Sequence, residues 1–268
     1  MQDIKITIIQ TSLAWENVDE NLSSFDKFIS QIIKDKPDLI VLPEEFNTAF
    51  SVKPENFYEK LDGKTIKWMA KKASLMNCVI TGSLIIMENN KYFNTLIWMR
   101  PDGSFETYRK RHLFRMGKEH LKFSGGRDRL IVDLKGWKIC PLICYDLRFP
   151  VWAKNTFKNK KYEYDVLIYI ANWPAVRSHA WNTLLKARAI ENQAFVIGVN
   201  RVGKDGNNIS YSGDSAIIDP NGEIVSGIHP NQETFETINL SHVTLSNIRS
   251  KFNAGFDWDN FKISDRID

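Results

Sequence analysis

Two kinds of connection alternate along this chain, and together they exclude most architectures. Some buried strands are separated by a single helix, while others are joined by tight turns. Residues 38–42 (DLIVL), 137–143 (WKICPLI) and 165–171 (DVLIYIA) are continuous apolar runs that read as buried strands. Residues 18–34, 65–77 and 178–193 carry apolar residues at helical spacing, with Leu22, Phe25, Phe28 or Ile29, and Ile32 marking the first. Pro101-Asp102-Gly103, Lys135-Gly136 and Asp219-Pro220-Asn221-Gly222 are hairpin signals, the last joining strands over 210–218 and 223–226. A purely parallel doubly wound sheet has no room for so many hairpins. Two mixed sheets packed face to face, with helices on the outer faces, satisfy both observations. The expectation is a four-layer α-β-β-α sandwich forming one domain over residues 1–268.

Composition removes several function classes. At 268 residues the chain builds a core without staples. No apolar stretch approaches the ~20 residues that cross a bilayer, so no membrane partner is expected. The N-terminus (MQDIKITIIQ) reads as a strand with no secretory leader, and three cysteines without framework spacing fit a reducing cytoplasm. A basic cluster at 108–115 (YRKRHLFR) stands alone, without helix-turn-helix or zinc-finger patterning, so no nucleic-acid partner is expected either.

Three segments place ionisable groups at the ends of buried strands. Leu42-Pro43-Glu44-Glu45-Phe46 puts a carboxylate in a part-apolar setting that suits proton transfer; a surface acidic turn is the alternative. If the strand continues through Lys110, Tyr108 and Lys110 share a face, and a core-facing lysine needs a carboxylate partner; a solvated basic edge is the alternative. Cys144 ends an apolar run at a strand-to-turn corner, where a thiol reaches free backbone N–H groups, although a lone cysteine is otherwise inert core. Cys140 and Cys144 on one strand lie ~13 Å apart, too far for a disulfide or a shared metal. Of the five histidines, His112 is the candidate for a Cys–His dyad.

Taken in order, LPEEF, YRKRHLF and ICYDLRFP resemble the motifs of the nitrilase superfamily of carbon–nitrogen hydrolases. Ala171-Asn172-Trp173-Pro174, the run 186–192 (KARAIEN) and the run 211–215 (YSGDS) extend the likeness over nearly the whole chain. The resemblance implies a catalytic triad of Glu44, Lys110 and Cys144, with Glu119 as a second glutamate beside the lysine. It implies an oxyanion hole from Lys110 and the Tyr145 N–H, and needs neither metal nor organic cofactor. Within the superfamily the motifs most resemble omega-amidases, which hydrolyse omega-amides of 2-oxo dicarboxylic acids such as 2-oxoglutaramate. Such a substrate carries a carboxylate, for which Arg148 and Arg177 are candidate partners and Arg115 a weaker one; an Arg148–Asp146 salt bridge is the structural alternative. Phe46, Phe114, Tyr145 and Trp173 are candidate pocket walls. An N-carbamoyl amino acid or aliphatic amide hydrolase is the nearest other reading, and a non-catalytic module the remote one.

Relatives commonly have glycine where this chain has Ala49, so a left-handed backbone there costs about 1 kcal/mol. The resemblance also implies a homodimer. The aromatic C-terminal segment 252–268 is expected to lie across the neighbouring subunit, or alternatively over its own core.

Overall fold

Burial is nearly continuous along the central strands of both sheets, which places two layers in the interior. In the computed structural model residues 2–264 are described. The first half of the chain runs β1 (Ile4–Gln10), α1 (Val18–Ile32), β2 (Leu39–Val41), α2 (Pro54–Phe57), α3 (Lys64–Met76), β3 (Val79–Glu88), β4 (Lys91–Met99) and β5 (Phe105–Arg109). The middle adds β6 (Val132–Leu134), β7 (Trp137–Ile143), α4 (Pro150–Ala153), β8 (Phe157–Lys158), β9 (Lys161–Tyr162), β10 (Val166–Ala171) and α5 (Ser178–Asn192). The last part adds β11 (Phe195–Asn200), β12 (Val202–Lys204), β13 (Ser210–Ser212), β14 (Ala216–Ile218), β15 (Thr234–Leu240) and α6 (His242–Lys251).

Six strands form one sheet in the order β15-β1-β2-β3-β4-β5, and five form a second in the order β14-β11-β10-β7-β6. Both are mixed, with β1–β2–β3 and β7–β10–β11 parallel and the hairpins antiparallel. Ile4, Ile6, Ile8, Leu39, Val41, Leu96 and Trp98 point from the first sheet into a core shared with the second. The alternate residues Ile9, Ile40, Ile80, Ile97 and Met99 face the other way, against Phe25 and Ile29 of α1 and Met69 and Ala73 of α3. On the far side Trp181, Leu185 and Ala189 of α5 pack on the second sheet. The layers therefore run α-β-β-α.

Most expected elements stand within a residue or two of their sequence limits. The strand expected over 210–218 is instead two, because Gly213 and Asp214 take left-handed φ values of 77° and 56° and turn the chain. The strand expected over 223–226 is reduced to an Ile218–Ile224 bridge. The C-terminal segment lies on its own chain: Phe256 meets Phe157 edge-on, Trp258 meets Tyr162, and Lys154 Nζ lies 3.6 Å over the Trp258 ring. Residues 265–268 of that segment lie outside the described residues.

Candidate active site

Parallel strands carry their carboxyl ends to one edge of a sandwich, and side chains just past those ends converge there. Glu44 follows β2 and is fully buried. Its Oε1 accepts from Lys110 Nζ at 2.8 Å and Asn94 Nδ2 at 2.9 Å, and its Oε2 accepts from the Asn172 N–H at 2.8 Å. Asn172 Nδ2 also donates to the Glu44 carbonyl at 2.6 Å. Three donors on one carboxylate fix its rotamer and satisfy a charge that burial would otherwise forbid.

Lys110 extends the β5 ladder by donating its N–H to the Asn94 carbonyl at 2.9 Å, and its side chain is 1% exposed. Nζ donates to Glu44 and, at 3.0 Å, to both oxygens of Glu119. Burial alone would lower the lysine; Glu119 and Glu44 outweigh it and hold the ammonium well above its usual range. Glu119 follows a left-handed Lys118 (φ 59°) and also accepts the Phe114 N–H at 2.6 Å. Burial pushes its carboxyl up, against the pull of Lys110.

Cys144 takes a left-handed φ of 42°, where β7 breaks into a short 3-10 turn over Cys144–Arg148. Such a backbone costs a non-glycine residue roughly 1–3 kcal/mol and is kept only where its surroundings enforce it. Sγ lies 4.0 Å from the Asn172 carbonyl on the neighbouring strand end. Burial, then the Glu44 charge and its hydrogen bond, push the thiol well above its usual range, and Lys110 pulls less strongly the other way. Glu44 and Lys110 thus act on the sulfur in opposite senses.

Asp146 joins the two halves of this arrangement. Its Oδ2 accepts from the Ile143 N–H at 3.1 Å and from Tyr108 Oη at 2.7 Å, and its Oδ1 from the His112 N–H at 3.1 Å. His112 Nδ1 lies 2.8 Å from the same Oδ1, its ring stacked on Phe149 at 3.7 Å. The His112 imidazole is thus engaged by Asp146, which corrects the Cys–His dyad considered from sequence. It also removes the Arg148–Asp146 bridge: Arg148 lies instead 4.9 Å over the Trp173 ring.

A cavity of about 130 Å³ reaches Glu44, Lys110 and Cys144 between Phe50, Val52, Phe114, Asn172, Pro174 and Tyr211. A second of about 30 Å³ adjoins it, lined by Tyr145, Arg148 and Trp173. Arg177 borders both, with its guanidinium 5.4 Å over the Phe114 ring. Phe46 does not reach either. Glu45 (φ 42°) turns the chain back, and the Phe46 ring packs edge-on to Phe25 at 5.4 Å beside Trp68, in the core under the outer helices. Arg115 is exposed and lines neither cavity. Ala49 is left-handed, with φ 60°. Among the described residues no group of three or more His, Cys, Asp or Glu side chains is arranged to hold a metal.

Asn94, Asn172, Asp146 and Phe50 were not singled out as site residues from the sequence. An amide buried in the middle of the largely apolar β4 is the signal for Asn94; the others reveal themselves only once the strand ends meet.

Comparison with known proteins finds relatives of this chain in both sequence and fold. The carbon-nitrogen hydrolase family model matches residues 5–251. Omega-amidase YafV of Escherichia coli (strain K12) is 43% identical over 98% of this chain and 100% of its own. The 2-oxoglutaramate amidase of Bacillus subtilis (strain 168) is 35% identical over 82% of this chain and 85% of its own. The crystal structure of XC1258 from Xanthomonas campestris, a CN-hydrolase superfamily protein with an arsenic adduct in its active site, superposes with a TM-score of 0.96 at 41% identity, covering 98% of this chain and all of that one. A family model matching most of the chain, a shared fold and near full-length coverage leave one conclusion: the chain belongs to the carbon-nitrogen hydrolase family.

Proposed function

We propose that the protein is an omega-amidase, hydrolysing the amide of a 2-oxo dicarboxylic acid monoamide of the 2-oxoglutaramate type to the acid and ammonia. The observation that carries the chemistry is the convergence of Glu44, Lys110, Glu119 and the strained Cys144 on one cavity. The substrate class rests on the named relatives, which align over most or all of the chain.

In this reading Cys144 attacks the amide carbon while its proton passes to Glu44. The carbonyl oxygen gains charge facing the Lys110 ammonium, which gives up one of its two hydrogen bonds to Glu119 to meet it, and the Tyr145 N–H at the head of the 3-10 turn. Glu44 returns the proton to the departing nitrogen, and ammonia leaves a thioester. Glu44 then takes a proton from water, which attacks the thioester; the acid leaves and the thiol is restored. Glu119 keeps Lys110 charged and aimed throughout. Phe114, Tyr145 and Trp173 shape the walls, and Arg177 or Arg148 meets the far carboxylate of the substrate.

Exposed apolar side chains support a homodimer: Ile190 on α5, Val243 on α6, and Phe252 and Phe256 in the C-terminal segment are all more than half exposed. Gln193, at the end of α5, donates to the Phe252 carbonyl and so brings two of these regions together. Three free thiols fit a cytoplasmic setting.

The test is ammonia release from 2-oxoglutaramate, with Cys144→Ala alongside. Wild-type turnover that the variant lacks is expected; full activity in Cys144→Ala would refute the mechanism. Carbon dioxide appearing with ammonia from carbamoyl amino acids, and no turnover of the 2-oxo amide, would place the enzyme among carbamoylases.

A further inference from the structure

A third carboxyl group sits beside the cluster, and the mechanism above does not use it. Glu45 is fully buried and left-handed, its N–H donating to Ser83 Oγ at 2.9 Å and its carbonyl accepting the Thr48 N–H at 3.0 Å. Its Oε2 accepts one neutral donor, the Ser51 N–H, at 3.1 Å. Its Oε1 is buried without a hydrogen-bond partner. Three charged groups act on it: the Glu44 carboxylate at the exit of β2, the Glu119 carboxylate in its 3-10 turn, and the Lys110 ammonium past β5. On the other side of Ser51, the hydroxyl donates to Glu16, which pairs with Lys53.

An anion in this position is untenable. It would have one neutral donor, one bare oxygen, no solvent and two other carboxylates nearby, while the single buried ammonium already serves both of those. An un-ionised acid costs less: its carbonyl oxygen takes the Ser51 N–H, and its hydroxyl, though left without a partner, carries no charge. The electrostatics agree, since burial, Glu44 and Glu119 push the carboxyl well above its usual range and Lys110 opposes them. Ser51 lies between Phe50 and Val52, both of which line the substrate cavity, and the Phe50 ring sits 5.4 Å from Lys110 Nζ.

We propose that Glu45 is a positioning residue that works as an un-ionised carboxylic acid, fixing through Ser51 the loop that carries Phe50 and Val52 into the cavity. Neutrality is part of the role. A further negative charge here would compete for Lys110 and oppose the oxyanion that amide hydrolysis forms. The kinetic part of this inference rests on the amidase reading; the protonation part does not.

The experiment compares wild type with Glu45→Gln and Glu45→Ala. The infrared carbonyl band of an un-ionised carboxylic acid should be present in wild type at neutral pH and lost in Glu45→Gln. Stability gives a second readout. With the folded pKa raised above the ordinary 4.5, the folded protein keeps a proton that the unfolded chain releases. Wild-type stability conferred by Glu45 is therefore full below 4.5 and falls as pH rises toward the folded value. Glu45→Gln should gain on wild type by up to about tenfold in unfolding equilibrium constant per pH unit across that window. In kinetics, Glu45→Gln preserves the Ser51 acceptor and should keep kcat and KM within about threefold, whereas Glu45→Ala should raise KM by about tenfold with kcat largely retained. No infrared loss and a pH-independent stability difference would show an ionised Glu45 and overturn the inference. So would a kcat collapse in Glu45→Gln, or an unchanged KM in Glu45→Ala. If Glu45→Ala fails to fold, the Glu45→Gln arms decide. Wild-type turnover of the amide is the control that separates failure of the activity reading from failure of this one.

Discussion

A thiol in left-handed backbone at the end of a parallel strand is costly to keep, and the cost is matched to its position beside Glu44. The other two cysteines have no such setting. Cys78 and Cys140 are buried in packing, and burial pushes each up to about 12. Cys144 is raised as well, but it lines the substrate cavity and the other two do not, so iodoacetamide, itself a small amide, should alkylate it well ahead of both, as read by peptide mapping; equal slow labelling of all three would contradict an active site here. Glu44 and Cys144 follow apolar strands while Lys110 closes a polar one (SFETYRK), so each alone had an ordinary structural reading, and they stood out together only through the resemblance of three ordered motifs to the nitrilase superfamily. Phe46 was misread for a local reason. It is two residues from Glu44, but the intervening left-handed Glu45 reverses the chain and sends the ring under the helices. Asn172 and Asp146 hold their partners across 128 and 38 residues of sequence, so spacing carries no trace of them.

Among the elements, the end of β5 and the corner after β7 must be held together, because one carries Lys110 and the other Cys144. Asp146 does this with hydrogen bonds to Tyr108, His112 and Ile143, and Trp152 Nε1 donates to the Tyr108 oxygen at 2.9 Å. Tyr108→Phe removes one donor from a buried carboxylate and strands the indole N–H. It should cost about 1–3 kcal/mol in denaturant unfolding and lower kcat more than it raises KM. Unchanged kcat would show that the clamp serves the fold alone. Helix and strand positions were largely legible, since burial periodicity governs them. The break at Gly213 was not: a side chain there would collide with Gln10, a partner from the first strand of the chain. Ala49 shows the opposite case, a positive φ anticipated from the residue type expected at that place.

For the whole molecule, mixing hairpins with helical crossovers already implied two mixed sheets, and the four layers follow from which faces of those sheets are apolar. Assembly was less legible. Between Phe252 and Trp258 the C-terminal segment packs on its own β8–β9 ribbon, yet it leaves Phe252 and Phe256 largely exposed. Light scattering at micromolar concentration should return about twice the 31.0 kDa chain mass, and a monomer would refute the proposed dimer. The reaction itself is tested most directly by mass spectrometry of the protein during turnover of 2-oxoglutaramate. An added mass equal to the 2-oxo acyl group, borne by the Cys144 peptide and absent in Cys144→Ala, is the expected result. Steady turnover with no covalent adduct, or an adduct on another residue, would contradict the thioester route.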